Sequence, residues 1–272
     1  MAIGATEAML SHNDIDTFQR DGVVLIKGLF KDWVESLRAG IDHNMQNPGE
    51  FGKNYTKDGQ GGHFFGDYCN WQRIPQYHDF FFSSPAASAT ASLLQSDTVR
   101  IFHEHVLVKE PGTAQKTPWH HDQPYYCVNG EKVCSLWIPL DPVDQSVCPE
   151  FIAGSHQWGK WFVPTKFTGD SYVRDGDKMV PMPDIDADRS KYDIKSWQLE
   201  PGDCIAFHFL TVHGAPENLS AHRRRAFSAR MLGDDATFVI RGGEMSPPFP
   251  GLDKRLVVGE PMDAEEFPVI YS

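Results

Sequence analysis

Short apolar or alternating runs, separated by Pro, Gly, Asp and Asn, restrict the fold of this sequence more than any other feature. They begin after Thr98 and stand at 99–108, 133–140, 205–212 and 226–232. Runs of this length with turn residues between them are typical of strands in an antiparallel double sheet or barrel. A chain of 272 residues can form one such unit, because all-β units often exceed the usual domain size. We therefore predict a mainly β, single domain over 1–272.

The N-terminal third has a different pattern. Apolar residues recur at helical spacing in 13–20 and 34–45, which predicts two amphipathic helices. The run 23–26 between them predicts a short buried strand, and a third helix is predicted over 86–94 because proline precedes it. We expect these helices to flank the β fold.

A stretch at 157–198 interrupts the β pattern with tryptophans, prolines and a cluster of acids. Loops this long in a compact domain tend to be functional, so we interpret the stretch as an insertion that acts as a lid. Asp184, Asp186 and Asp188 alternate as at the start of a calcium loop. The glycine and the final glutamate of such a loop are missing, which predicts a solvated acidic loop instead.

Charge and cysteine content exclude several classes of protein. The chain has 25 basic and 37 acidic residues, a formal net charge of −12, whereas nucleic-acid binding needs a basic surface. Five cysteines without a CxxC pair argue against a disulfide framework and a thiolate zinc site. Residues 1–10 lack the pattern of a signal peptide, and no apolar stretch approaches the roughly 20 residues that span a bilayer. We expect a cytoplasmic protein with neither nucleic-acid nor membrane partners, of unknown oligomeric state.

The chemistry of the chain is indicated first by His120 and Asp122. They are two residues apart, so on an extended strand both side chains leave the same face. An imidazole and a carboxylate, completed by a second, distant imidazole, leave three coordination positions of Fe(II) open for oxygen chemistry. The pair is therefore a candidate for an iron site that needs one more histidine, while a lone His-x-Asp is common and more often marks a surface strand or the start of a helix.

Two histidines near the end of the run 204–213 are candidates for this third ligand. His208 and His213 are five residues apart, so on a regular strand they face opposite ways and only one can join the site. His213 lies at the end of the run beside Gly214, where a side chain can reach the mouth of a cavity. We favour His213 and keep His208 as the alternative.

An ordered set of motifs over about 12–235 resembles the phytanoyl-CoA dioxygenase family. The motifs are the segment 119–125, the run 137–141, Gly154-Ser155-His156, Pro201-Gly202-Asp203, and 207–215 with Asn218 and Arg224. The resemblance implies a double-stranded β-helix, a cupin-like jelly roll whose open end holds iron. It implies Fe(II), 2-oxoglutarate and O2 as cofactors, and hydroxylation of a small organic substrate with release of succinate and CO2.

The resemblance also implies roles for single residues. It places the arginine that anchors the distal carboxylate of 2-oxoglutarate on Arg224, with Arg223 and Arg225 as alternatives if the register differs by one. A planar guanidinium can hold a carboxylate through two parallel hydrogen bonds. The metal ligands that the family implies fall on His120, Asp122 and His213.

Trp137 and His105 match family positions near the cofactor. Each also has a simpler interpretation, Trp137 as core packing and His105 as a buried histidine with satisfied hydrogen bonds. His103 shares a strand face with His105, so we expect at least one of the two to line the cavity.

The sequence departs from the family pattern at two places. Many members carry serine two positions after the distal histidine as a partner for the cofactor carboxylate, and Ala215 stands there. Ser228, on the same strand face as Arg224, is our candidate for a replacement donor. Glu150 lies where the family more often has glycine or apolar residues, and is either a substrate contact or a surface carboxylate.

Two other functions fit parts of the pattern. A cupin-type isomerase or hydrolase would need the three metal ligands but neither Arg224 nor 2-oxoglutarate. A non-catalytic protein that binds a small molecule could have kept the barrel and lost turnover. A halogenase is disfavoured because Asp122 would occupy the coordination position that chloride needs. The identity of the substrate does not follow from the sequence.

Overall fold

A computed structural model describes residues 10–56, 59, 61–164, 179–242 and 245–272. Within these residues the helices are α1 (His12–Asp21), α2 (Val34–Gln46), α3 (Pro75–Ser83) and α4 (Ala86–Leu94). The strands are β1 (Val23–Ile26), β2 (Lys53–Asn54), β3 (Phe64–Tyr68), β4 (Val99–Lys109), β5 (Thr117–His120), β6 (Val128–Asn129), β7 (Val133–Pro139), β8 (Glu150–Ile152), β9 (Ile194–Lys195), β10 (Cys204–His208), β11 (His213–Ala215), β12 (Arg224–Leu232), β13 (Thr237–Phe238) and β14 (Val269–Tyr271).

Two antiparallel sheets form the body of the fold. The larger has the order β1-β10-β7-β12-β4-β3-β2, with β14 added beside β4, and the smaller has the order β5-β11-β8-β9. Trp137 and Phe207 of the large sheet share a buried apolar cluster with Phe151 of the small sheet, so the two sheets pack face to face. The predicted mainly β, cupin-like fold is confirmed, and β6 pairs with β13 outside the two sheets.

The helices cover the outer face of the large sheet. Because strand residues alternate between faces, one set from β4, β7 and β12 meets the helices while the other faces the small sheet. Phe227 of β12 contacts Tyr77 and Phe80 of α3, with ring centroids 4.8 and 5.2 Å apart. These strands are therefore buried on both faces. No helix among the described residues has both the length and the apolar character to cross a membrane.

The predicted elements of the N-terminal third are confirmed, with α1, β1, α2 and α4 close to the expected bounds. The α1 helix begins with a capping box between Ser11 and Asp14 and ends at Gly22, whose φ is 69°. The α3 helix was not predicted from the sequence. All five cysteines are free thiols, so no disulfide stabilises the chain.

Two predictions on the β region need correction. The run 205–212 is not one strand, because β10 ends at His208 and the chain turns before β11 begins in the other sheet. The stretch 157–198 is not wholly an insertion, because its β9 pairs with β8 and completes the small sheet. Residues 165–178 lie outside the described residues, and a lid over 157–198 within a single domain stays a prediction.

The turn at Pro201-Gly202-Asp203 fixes the N-terminal segment to the sheet. Phe30 donates its N–H to the Gly202 carbonyl at 2.8 Å, and Gly202 donates its own N–H to the Pro139 carbonyl at 2.9 Å. Gly202 has a φ of 86°, and a Cβ there would lie 2.5 Å from the Lys31 Cα. Only glycine therefore fits between the two backbones.

We predict that Gly202→Ala destabilises the protein far more than Gly28→Ala. Gly28 also has a positive φ, of 65°, but a Cβ there meets open space. Gly28→Ala should cost about 1 to 2 kcal/mol for the left-handed backbone alone. Gly202→Ala adds a clash between backbones and should cost about 3 kcal/mol or more. Urea denaturation of both variants measures the difference, and equal losses would contradict this role of Gly202.

Candidate metal centre and its cavity

Backbone pairing brings the three predicted metal ligands together. His120 at the end of β5 is the direct cross-strand partner of His213 at the start of β11. Asp122 lies two residues after the end of β5, immediately before a 3-10 helix at Gln123–Tyr125. Its Oδ1 lies 3.5 Å from His120 Nε2 and 3.8 Å from His213 Nε2. One potential ligand atom from each residue lies within 4.8 Å of the others, which is close enough for a single ion.

Both imidazoles are held in the tautomer that a metal requires. His120 Nδ1 lies 2.8 Å from the Pro118 carbonyl, and His213 Nδ1 lies 2.9 Å from the Thr211 carbonyl. A carbonyl only accepts hydrogen bonds, so each Nδ1 carries the proton and donates it. The lone pair of each Nε2 therefore points to the space beside Asp122, as in histidines oriented by a partner on the other ring nitrogen.

The surroundings of Asp122 keep it ionised. Burial alone would raise the pKa of its carboxyl, but the Arg230 guanidinium and then His120 outweigh that effect and hold the pKa well below its usual range. Burial lowers the pKa of His213 to about 3, and His120 adds to the effect. At neutral pH the site thus presents a carboxylate and a neutral imidazole, which are the forms that bind metal.

A cavity of about 420 Å³ between the two sheets contains this site. Its wall is rich in rings, among them Tyr55, Tyr68, Tyr125, Trp137 and Phe207. The charged side chains that line it, among the described residues, are Lys53, Asp122, Arg224 and Arg230. A cavity of this size with a few converging polar groups is typical of a small-molecule site.

Three of the predicted cofactor residues form one row across the large sheet. Ser228 of β12 pairs directly with Trp137 of β7 on one side and with His105 of β4 on the other, and all three line the cavity. The Ser228 Oγ is buried and has no hydrogen-bond partner in the described part of the chain. His103 lines the cavity one row further along. Their roles toward a cofactor stay predictions.

Of the three consecutive arginines, only Arg224 reaches the cavity. It is 7% exposed, and its Nη1 donates to the Val147 carbonyl. No carboxylate of the described residues lies within ion-pairing distance of it, and burial lowers its pKa to about 10. Arg223 pairs with Glu110 at 2.6 Å, and Arg225 pairs with Asp141 at 2.8 Å.

His208, the alternative candidate for the third ligand, makes hydrogen bonds away from the metal site. Its Nδ1 accepts the Leu210 N–H at 3.0 Å, so its Nε2 carries the proton and donates to the Glu131 carbonyl at 2.8 Å. Both ring nitrogens are thus used, and His208 does not line the cavity. The structure brings His213 to the other two candidate ligands and leaves His208 away from them.

Glu150 and the acidic run lie outside the cavity. Glu150 accepts two hydrogen bonds from Arg189, at 2.6 and 3.0 Å, so its carboxylate is already paired. Asp186 accepts from Trp119 Nε1 at 3.1 Å, and Asp188 pairs with Lys191 at 2.7 Å. These contacts fit surface ion pairs rather than a substrate contact or a calcium loop.

Arg230 and Tyr126 were missed from the sequence. Arg230 is 6% exposed, with Nη2 3.5 Å from Asp122 Oδ2, and its Nε donates to the Tyr126 hydroxyl at 2.6 Å. A signal was present, because Arg230 is an even number of residues from Arg224 and hence on the same strand face. Arginine on an inward face is rarely buried without a partner.

Known structures share this fold. The carbocyclase SnoK from nogalamycin biosynthesis is 23% identical, with a TM-score of 0.74 over 98% of this chain and 99% of that chain. The epimerase SnoN, in complex with Fe3+, alpha ketoglutarate and nogalamycin RO, is 19% identical, with a TM-score of 0.75 over 95% and 97%. EctD from S. alaskensis, with 2-oxoglutarate and 5-hydroxyectoine, is 17% identical, with a TM-score of 0.66 over 96% and 88%.

Sequence comparison identifies the family. An Arabidopsis thaliana protein named phytanoyl-CoA dioxygenase is 28% identical over 162 residues, which are 59% of this chain and 54% of that protein. The chain thus spans about half the length of this curated relative. The family model described as phytanoyl-CoA dioxygenase (PhyH) matches residues 18–226, most of the chain. The chain therefore belongs to the phytanoyl-CoA dioxygenase family.

Proposed function

We propose that this chain is an iron(II)- and 2-oxoglutarate-dependent dioxygenase that hydroxylates a small organic substrate and releases succinate and CO2. One observation carries the proposal. A cluster of two imidazoles and a carboxylate shares its cavity with a buried guanidinium, Arg224, that has no carboxylate partner among the described residues. SnoK is an alpha ketoglutarate dependent carbocyclase, and the structures of SnoN and EctD contain alpha ketoglutarate or 2-oxoglutarate, which supports the same reaction type.

The donor set fits Fe(II). Two imidazoles and one carboxylate on one side of an ion suit non-haem iron and leave positions open on the other side. When bound, Fe(II) and 2-oxoglutarate would supply O2-dependent oxidation, in which O2 takes two electrons from 2-oxoglutarate, giving succinate and CO2, and two from a substrate C–H bond. The three side chains fix the position of that chemistry, and the cavity wall around them excludes bulk water.

One buried cation, Arg224, provides for a carboxylate ligand. Lys109 of β4 is the direct cross-strand partner of Arg224, and its Nζ donates to the Pro216 carbonyl at 3.1 Å. Burial, and then repulsion by Arg224, lowers the pKa of Lys109 to about 6. A buried guanidinium without a counter-charge is costly, and the distal carboxylate of 2-oxoglutarate would offset that cost with two hydrogen bonds.

The two alternative functions explain less of the cavity. An isomerase or hydrolase on the same barrel would use the three ligands and leave the buried Arg224 without a task. A binding protein without turnover would not need both Nε2 lone pairs aimed at one point beside Asp122. We propose hydroxylation as the outcome. Because SnoK is a carbocyclase and SnoN an epimerase, identification of the product is the decisive test of this proposal.

The metal site should depend on His213 and not on His208. Wild-type protein should bind one Fe(II) per chain, whereas His120→Ala, Asp122→Ala and His213→Ala should lose it, because two ligands give little affinity. His208→Ala is the matched control, since it should lower the free energy of unfolding and retain iron. Elemental analysis after reconstitution measures the iron. The assignment is wrong if His208→Ala strips the metal while His213→Ala keeps it.

Arg224→Lys should raise the KM for 2-oxoglutarate roughly ten- to a hundredfold. It keeps the charge but loses the paired hydrogen bonds, which are worth about 1.5 to 3 kcal/mol. Iron content should not change, because the guanidinium does not reach the ligand cluster. Arg223→Lys and Arg225→Lys are the controls and should be close to neutral. A normal KM for Arg224→Lys beside a raised one for a neighbour would move the anchor to that neighbour.

A substrate screen with labelled oxygen should test the reaction itself. Small amines, acids and alcohols are incubated with Fe(II), ascorbate and 2-oxoglutarate under 18O2, and succinate and products are measured by mass spectrometry. A hydroxylase should place one labelled atom in succinate and one in the product. Labelled succinate beside an unlabelled, oxidised product would replace hydroxylation with desaturation or oxidative cyclisation, and labelled succinate beside an unlabelled isomer of the substrate would replace it with epimerisation. Absence of 2-oxoglutarate turnover across the screen would count against the proposed function.

A further inference from the structure

Arg230 lines the cavity, but the proposed reaction assigns it no role. It lies on the inward face of β12, between His103 of β4 and Ser135 of β7. Its three nitrogens have three separate neighbours. Nε donates to the Tyr126 hydroxyl at 2.6 Å, Nη1 donates to the Ser228 carbonyl at 3.2 Å, and Nη2 lies 3.5 Å from Asp122 Oδ2.

The two oxygens of Asp122 face different partners. Oδ1 faces His120 and His213, while Oδ2 faces Arg230 and lies 3.4 Å from the Ser135 Oγ. The backbone N–H of Asp122 donates to the Phe209 carbonyl at 2.7 Å, which fixes the start of the side chain. The side-chain torsions χ1 and χ2 of Asp122 are then left, and the groups around its two oxygens restrict them.

Tyr126 supports the guanidinium of Arg230. Its hydroxyl accepts from Arg230 Nε at 2.6 Å. The guanidinium therefore bridges the phenol and the carboxylate, and all three groups are buried. A lysine could not replace the arginine here, because one ammonium nitrogen cannot reach three acceptors that lie in different directions.

We propose that Arg230, held by Tyr126, is a positioning residue that turns the Asp122 carboxylate so that only Oδ1 is offered to the metal. This inference rests on the proposed function, since it concerns the same ion. A carboxylate can bind an ion through one oxygen or through two. Binding through Oδ1 alone keeps one more coordination position open for the co-substrates. Partners of this kind behind a metal ligand typically contribute ten- to a hundredfold in metal affinity.

The test uses Co(II) as the probe, in the absence of 2-oxoglutarate. Its affinity comes from titration, and its visible absorption reports the geometry of the ligands independently of turnover. Arg230→Gln should weaken Co(II) binding roughly ten- to a hundredfold and change the spectrum, with Arg230→Lys between it and wild type. The matched control is Arg224→Gln, a buried arginine on the same face of the same strand, which should leave Co(II) affinity and spectrum unchanged.

A second variant tests whether Tyr126 acts on metal binding through Arg230. Tyr126→Phe keeps the guanidinium but removes its support, so it should weaken Co(II) binding less than Arg230→Gln does. If Tyr126 acts through Arg230, Tyr126→Phe should add nothing when Arg230→Gln is already present. Fully additive losses would overturn this link. Should Arg230→Gln fail to fold, unchanged Co(II) affinity of Tyr126→Phe would overturn the proposal.

Co(II) binding by wild-type protein distinguishes a failure of this inference from a failure of the proposed function on which it rests. If wild-type protein binds no Co(II), the proposed metal site fails and the role of Arg230 fails with it. If wild-type protein binds Co(II) and Arg230→Gln binds it equally well with the same spectrum, only the role of Arg230 is overturned. A substrate-anchoring arginine would give that second result.

Discussion

The pairing of β5 with β11 is the interaction on which the candidate site depends. Direct partnership across these strands is what puts His120 beside His213, with ring centroids 4.2 Å apart. On its other edge β11 pairs with β8, where Phe151 stacks on the His213 ring at 5.6 Å. A slip of one residue would turn an imidazole to the opposite face, so the register of the small sheet fixes the metal geometry.

The two arginines that line the cavity, Arg224 and Arg230, have different partners. Arg230 faces Asp122 and Tyr126, whereas Arg224 has only a backbone carbonyl among the described residues. Both lie on the inward face of β12, so the difference arises from what faces each one rather than from the strand itself. Under the proposed function, a metal dication and a dianionic co-substrate together would leave the total charge unchanged, and the second anionic end would gain a partner at Arg224.

The sequence predicts the long elements well and the short ones poorly. Runs such as 99–108 and 226–232 carry enough periodicity to identify strands, while β5 and β8 are too short for a period to show. Alternation indicates that Arg224 faces the opposite way from Arg223 and Arg225, but which of the two faces is inward depends on the register with β4 and β7. The same alternation predicts that Arg230 lies on the strand face of Arg224, whereas its contacts are seen only in the tertiary structure.

The rule that residues five apart on one strand face opposite ways does not apply to His208 and His213, and the reason is structural. The chain leaves the large sheet after His208 and enters the small one at His213, so the two residues never share a strand. His208 helps to hold this crossing, since its ring accepts the Leu210 N–H. Ser155 helps as well, because its Oγ accepts the Val212 N–H at 2.8 Å and donates to the Ile152 carbonyl at 2.7 Å. His208 and Ser155 belong to the family motifs and are not candidate metal ligands, but both help to position the segment that carries His213.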